Sequence, residues 1–184
     1  MKSVTATLPS LCATLCAVLL SACAAPQPTA SAQAVRPVPA ALQPSERERA
    51  VFTWHAIGAQ IYECRLDKGT VSWVLVAPEA DLFNQNDEKS GTHGAGPSWT
   101  ALDGSKAVGT VKAKANGKHP ADIPLLLLSA SSTSVAGKMT GITSVQRLNT
   151  EGGNAQARGC ETAGDAGKRS KEGYTADYVF FVSK

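Results

Sequence analysis

The segment Gly91-Thr92-His93-Gly94-Ala95-Gly96-Pro97-Ser98-Trp99, followed by Asp103 and Ser105, is where this chain gathers residues suited to chemistry. Glycines let a backbone take positive φ and approach a ligand closely. An imidazole beside a carboxylate can act as a general base near neutral pH. The functional reading is a loop site of His93, Trp99 and Asp103. The plainer reading, which the residue types favour, is scaffold: His93 caps a backbone carbonyl, Trp99 plugs the core and Asp103-Gly104 makes a type I′ turn. A hydrolytic triad of His93, Asp103 and Ser105 is disfavoured. Ser105 lacks the glycines of a nucleophile elbow, and Asp103 and Ser105 are too close in sequence to reach one imidazole from opposite sides.

Other candidates lie on alternating segments. Gln60, Tyr62 and Cys64 share one strand face, with Ile61 and Glu63 on the other. Tyr62 is expected to pack beside a buried disulfide. Gln146 and Arg147 occupy opposite faces of their strand, so only one of them can face a shared pocket. Arg147 can bind a carboxylate ligand or pair with Glu79 or Asp177, and the pair is the expectation. Tyr178 reads as core. The run Lys168-Arg169-Ser170-Lys171 reads as a solvated loop without an assigned partner.

The N-terminus supplies an address. Lys2 precedes an apolar run of about ten residues, Leu11 to Leu20, too short to span a bilayer, which takes about 20, and fitting a secretory signal. Leu20-Ser21-Ala22-Cys23 resembles a bacterial lipobox, in which the Cys23 thiol is lipidated and becomes the new N-terminus. Ordinary cleavage after Ala24 is the alternative, because Ala22-Cys23-Ala24 also fits an A-x-A site. No paired arginines precede the run, which points to the general secretory route, and Ala24 rather than Asp after Cys23 points to the outer membrane, facing the periplasm. Residues 23–44 hold Pro26, Pro28, Pro37, Pro39 and Pro44 among Ala, Gln and Ser, the composition of an extended tether.

Five cysteines are present; two leave with the signal and Cys23 is the lipidation candidate. Cys64 and Cys160 remain, an even pair in an oxidising compartment, and are expected to form a disulfide. Two isolated thiols and three scattered histidines do not make a metal site, and no cofactor is expected. The chain has no G-x-G-x-x-G fingerprint. Its 184 residues less a 22-residue signal suit one domain. With 43% hydrophobic and 18% charged residues it is neither a disordered acidic tail nor a coiled coil. A net charge of +3, with 5% aromatics and no basic–aromatic clustering, gives no argument for nucleic acid.

From Ser45 onward short apolar stretches alternate with turn-rich ones. Gln60 to Leu66 reads as a strand, Asp67-Lys68-Gly69-Thr70 as a hairpin turn, and Val71 to Ala77 as a second, central strand. Gly91 to Gly104 reads as a glycine-rich loop. Residues 107–115 alternate again. Ile123 to Ser129 is a buried segment with Pro124 at an edge, a bulge or the strand's start. Thr140 to Leu148 and Tyr174 to Val182 complete the strands. Short strands, turn signals and no sustained helical period predict one antiparallel all-β sandwich or barrel over 45–184.

Several motifs stand in a familiar order: Gly58-Ala59-Gln60-Ile61-Tyr62-Glu63-Cys64, Pro78-Glu79-Ala80-Asp81-Leu82, the segment around His93, and Asp103-Gly104-Ser105. Then come Ile123-Pro124 with its leucines, Val145-Gln146-Arg147-Leu148-Asn149-Thr150, Gly152-Gly153, Cys160 and Tyr174-Thr175-Ala176-Asp177-Tyr178. Together they resemble the domain-of-unknown-function family 3455, secreted or lipid-anchored proteins of bacteria and fungi, over about Phe52 to Phe181. The chain departs from that pattern at Leu125, where tryptophan is usual, and at Glu172-Gly173, where Val-Pro is usual. The resemblance implies a fold and an address but no activity.

The expectation is therefore a lipid-anchored envelope protein whose β domain binds a small molecule, glycan or protein without catalysis, using residues among Gln60, His93, Trp99, Asp103 and Arg147. An envelope enzyme, hydrolase-like and built on His93 and Asp103, is the alternative. A purely structural envelope component is the third.

Overall fold

Tyr174, Ala176, Tyr178 and Phe180 recur at every second position of the last strand, and all four are buried. Period-two burial over this length is the signature of a strand with one face on a core. The computed structural model describes residues 37–133, 135–156 and 158–184. The expected signal segment, Cys23 and most of the expected tether lie outside them. Eight strands follow in order: β1 Glu48–Asp67, β2 Thr70–Phe83, β3 Lys89–Gly94, β4 Ser98–Ala101, β5 Lys106–Ala115, β6 Leu125–Ser132, β7 Ile142–Gly152 and β8 Arg169–Ser183. Each pairs antiparallel with its neighbour in sequence, and β8 closes on β1. The result is an up-and-down, eight-stranded closed barrel, a size whose interior just fits side chains or one small ligand. No helix among the described residues is long and apolar enough to cross a membrane.

Cross-strand register stacks the interior in layers. Leu128, Val145, Phe180 and Phe52 are successive partners across β6, β7, β8 and β1. The next layer on the same face is Leu126, Arg147, Tyr178 and Trp54. Aromatic rings interlock through both layers, with Phe52 stacked on Phe180 at 4.6 Å and Trp54 edge-on to Phe180 at 5.3 Å. Such contacts add about 0.5–1.5 kcal/mol each beyond the area they bury.

Lys68 and Gly69 both adopt positive φ, 48° and 84°, giving the tight hairpin expected between Asp67 and Thr70. Pro124 precedes β6 directly and so starts the strand without interrupting its ladder. Three expectations need revision. Val71 to Ala77 is not central: β3 pairs only with Ala80 to Phe83 of β2, because β3 has six residues against fourteen. The first part of β2 therefore leans on β1 alone, leaving Leu75 49% exposed. Gly91 to Gly104 is not a loop but the hairpin β3–β4 with its flanking turns. Finally, the folded part begins before Ser45. A 3-10 turn at Ala40–Leu42 buries Leu42 against β5 and β6, and Gln146 Nε2 donates to the Leu42 carbonyl at 2.6 Å.

Cys64, near the end of β1, is bonded to Cys160, 96 residues away in the segment before β8, with a Cα–Cα distance of 5.5 Å. The same segment is stitched to β1 by Gly167 N–H donating to the Cys64 carbonyl and Cys64 N–H to the Lys168 carbonyl, both at 2.8 Å. Closing a loop of this size restricts the unfolded chain by about 4 to 5 kcal/mol in the entropy model, and measured losses run about 2–5 kcal/mol. A Cys64→Ser/Cys160→Ser double variant is expected to lose stability within that measured range in urea unfolding. Retention of full stability would show that the main-chain stitches suffice.

Candidate functional site

His93 on β3 and Trp99 on β4 are register partners, and both point into the barrel. The imidazole lies flat on the indole at 5.0 Å with 15° between planes, and 4.8 Å from the Tyr178 ring. Its Nδ1–H donates to the Ser98 carbonyl at 2.9 Å, the cap expected of a scaffold histidine. Only 3% of the residue is exposed. Burial pushes its pKa down to about 4; the bond to Ser98 opposes that shift and the positive charge of Arg147 adds to it. His93 is thus a neutral, packed imidazole at pH 7 rather than a base poised for proton transfer.

Asp103 is not beside it. The carboxylate sits at the β4–β5 turn, where it accepts from Ser105 Oγ at 2.6 Å, Ser105 N–H at 2.9 Å and Lys138 N–H at 2.7 Å. These bonds, the one from Ser105 Oγ foremost, hold its pKa below the usual carboxylate range. Ser105 is itself buried and accepts from Met139 N–H at 3.0 Å, so the pair pins two loops together. The turn is not type I′. Only Gly104 takes positive φ, at 84°, and Gly104 N–H bonds back to the Ala101 carbonyl at 3.0 Å, giving a three-residue connection ending in a left-handed glycine. The His93–Trp99–Asp103 grouping reduces to His93 and Trp99.

Arg147 is placed differently from its expectation. Its register with Tyr178 puts it on the inner face of β7, while Gln146 faces outward under the 3-10 turn. Glu79 pairs with Lys171 at 3.1 Å, and Asp177 with His55 at 2.8 Å and Asn149 at 2.8 Å. Both carboxylates alternate with inward residues and face outward, out of reach of an inward guanidinium. Arg147 is 9% exposed; its Nε donates to the Pro124 carbonyl at 3.0 Å and its guanidinium faces the Tyr178 hydroxyl. No salt bridge to Arg147 forms among the described residues.

Around it lie groups that stay uncharged at neutral pH. Burial raises the pKa of Tyr62, Tyr174 and Tyr178, and the Tyr174 and Tyr178 hydroxyls lie 3.4 Å apart. Gln60 is 1% exposed, and neither of its amide atoms has a hydrogen-bond partner among the described residues. Trp99 Nε1 and Thr150 Oγ1 are likewise buried and unpartnered. Such groups are few in native proteins and each carries a desolvation cost of about 1–3 kcal/mol.

A groove of about 360 Å³ opens at this end of the barrel, lined by Gly152, Gly153, Asn154, Glu172 and Gly173 among others. Its floor is glycine for steric reasons. Gly153 has φ 89°, and a Cβ there would stand 2.8 Å from Tyr174 Cβ, 2.9 Å from Ile123 Cγ2 and 3.4 Å from Gln60 Cγ. The irregular pairing of β7 between Leu148 and Glu151 directs the chain into this position, and the Tyr62 hydroxyl donates to the Gly153 carbonyl at 2.8 Å. Tyr62 thus braces the Gly153 turn through its hydroxyl. Tyr174 and Gly153 were not singled out as site residues from sequence. The signal that could have found them is the inward phase of Tyr174 and Tyr178 together with the paired glycines ending β7. A larger cleft of about 590 Å³, lined by Ile57, Glu79, Asp81, Thr92 and others, lies along β2 and β3. Its two carboxylates pair with Lys171 and Lys89, and His93 also lines it, the one sequence-predicted site residue that lines either opening.

The family model described as a protein of unknown function, DUF3455, matches residues 44–182. No curated protein and no solved structure gives a significant match.

His93 makes stability depend on pH with a defined sign. The folded pKa, about 4, lies below the unfolded 6.5, so protons bind the unfolded chain first. The contribution of the neutral imidazole is complete above pH 6.5, declines as pH falls, and is gone below pH 4, a loss of about 3 kcal/mol. His93→Phe is expected to flatten urea-unfolding stability between pH 6.5 and 4, and His93→Ala to cost about 2 kcal/mol or more at pH 7. A change within about 0.5 kcal/mol at pH 7 would mean that the fold does not need this imidazole.

Proposed function

Because the chain belongs to the DUF3455 family of proteins of unknown function, we propose that it is a non-enzymatic binding protein of the bacterial envelope, anchored by a lipid on Cys23 and taking a small molecule at the glycine-floored end of its barrel. The observation that carries this reading is that Gln60 and Arg147 are both buried polar groups. Among the described residues, the Gln60 amide has no hydrogen-bond partner and Arg147 no carboxylate. A ligand that supplied partners to these groups would offset their desolvation cost. The disulfide is compatible with an oxidising compartment, and the lipobox-like Leu20-Ser21-Ala22-Cys23 motivates the anchor.

Two measurements test it. Cys23→Ser is expected to abolish incorporation of labelled palmitate and release the protein from membranes; labelling that persists would refute the anchor. In the soluble Cys23→Ser chain, Gln60→Leu should raise urea-unfolding stability by about 1 kcal/mol, because an unpaired amide is replaced by an apolar side chain of similar size. A fall of that amount would make Gln60 a scaffold residue and favour a structural component instead.

A further inference from the structure

We infer that two copies of this chain pair edge to edge through β2, with Trp73 opposite Trp73 and Val71 opposite Leu75, in a two-fold dimer crossed by one continuous sheet. Ring closure does not reach this stretch of β2. On the far side of β1, β8 pairs as far as Glu63, whereas β3 pairs with β2 only from Ala80 to Phe83. Thr70 to Ala77 therefore has β1 on one side and, among the described residues, no strand on the other. A free edge of this kind is a template for a further strand.

The phase of the edge follows from Cys64. Its N–H donates to the Lys168 carbonyl and its C=O accepts from Gly167 N–H, so both groups point away from β2. Residues opposite each other in an antiparallel pair share this phase. Trp73 is the partner of Cys64, so its own N–H and C=O point away from β1, to the free edge. Val71 and Leu75, two residues to either side, do the same. None of the three has a main-chain partner there among the described residues. The Lys68-Gly69 turn ends the run on one side; on the other, β2 bulges at Val76 ahead of Pro78, which has no N–H. Three edge positions centred on Trp73 are self-complementary about a two-fold axis. Trp73 exchanges both bonds with its counterpart, and Val71 with Leu75 in each direction, so every free donor meets a free acceptor.

Side chains and charge favour a second copy as the occupant. Gly69 to Pro78 contain no charged residue, and charges are what commonly guard an exposed edge. Val71, Trp73 and Leu75 share one face, so the pairing sets Trp73 beside Trp73 and the half-exposed Leu75 beside Val71. The segment before β8 backs that face, where Trp73 Nε1 donates to the Arg158 carbonyl at 3.4 Å, and it makes no main-chain bond to Thr70–Ala77 among the described residues. The same register carries the Lys68-Gly69 turn of each copy toward Pro78 and Ala77 of the other. Those two residues and Glu79 line the cleft that opens where β3 has ended. Lys68 has no ion pair among the described residues, and the pair of Glu79 with Lys171 is exposed. Each turn thus brings a cation to a carboxylate of the other copy.

The test uses the soluble Cys23→Ser chain in sedimentation velocity over a range of protein concentrations. A reversible monomer–dimer equilibrium is expected. Leu75→Lys should weaken association about tenfold or more, because two-fold symmetry counts the substitution twice. Its melting temperature at low concentration should stay near the parent's, since Leu75 is half-exposed. Leu102→Lys, at a more exposed leucine on the β4–β5 turn, should leave association unchanged. The register is tested by mixing Ser72→Cys with Val74→Cys. Those positions face each other across the axis with about 4.5 Å between Cα atoms, within disulfide reach. Two copies of either variant alone stand diagonally, about 7–8 Å apart. Under mild oxidation the covalent dimer should form faster in the mixture than in either variant by itself. A chain that stays monomeric at every concentration would overturn the inference. So would a dimer that survives Leu75→Lys, or a crosslink no faster in the mixture, since either places the interface elsewhere. If Leu75→Lys fails to fold, the cysteine mixture decides alone.

Discussion

Closure of β8 onto β1 is the constraint on which the rest of the barrel depends. β1 is twenty residues long and is paired along most of its length, with β8 on one side and β2 on the other. A sheet of this size left open would present two edges of unpaired amides and carbonyls. Closing it satisfies those groups and forces every inward side chain into one shared interior. The register of this closure puts Trp54 opposite Tyr178 and Gly58 opposite Tyr174, and so decides which groups can meet.

That interior is divided along its axis. One end is aromatic, with Phe52 stacked on Phe180 and Lys138 laid over the Phe52 ring at 4.3 Å. Toward the other end the same strands contribute Tyr174, Tyr178, Arg147 and Gln60, and the lining shifts to hydroxyls, an amide and a guanidinium. The polar end holds buried groups without hydrogen-bond partners among the described residues. His93 and Trp99 lie between, a stacked pair that carries the packing of one part into the other. In this position His93 serves cohesion, and its low pKa follows from the same burial that makes it useful there.

The polar end is kept open by backbone devices rather than by large side chains. The irregular β7 register, the positive φ of Asn149, Gly152 and Gly153, and the bridge between Asp122 and Gly153 turn the chain sharply where a straight strand would cover the opening. Asp122 braces this corner by accepting from Gly152 N–H and His119 N–H, both at 2.8 Å. The disulfide ties Cys160 to Cys64 near the end of β1, and Trp73 Nε1 on β2 donates to the Arg158 carbonyl at 3.4 Å.

Much of this was legible in the amino-acid order because it rests on local chemistry. Period-two burial in β8, the Lys68-Gly69 turn, the lone cysteine pair and the opposed faces of Gln146 and Arg147 each follow from side-chain alternation, turn preference or redox chemistry. What sequence could not decide was which distant elements share a space. Val71 to Ala77 has the composition of a central strand, yet its exposure depends on the length of β3. Arg147 has two outward carboxylates that look like partners, yet its inward face separates it from both. His93 and Asp103 are ten residues apart in the chain, but the β3–β4 hairpin buries one and leaves the other at a turn. Local periodicity specifies which face a residue occupies. Only ring closure, which fixes register across eight strands, specifies what lies opposite it.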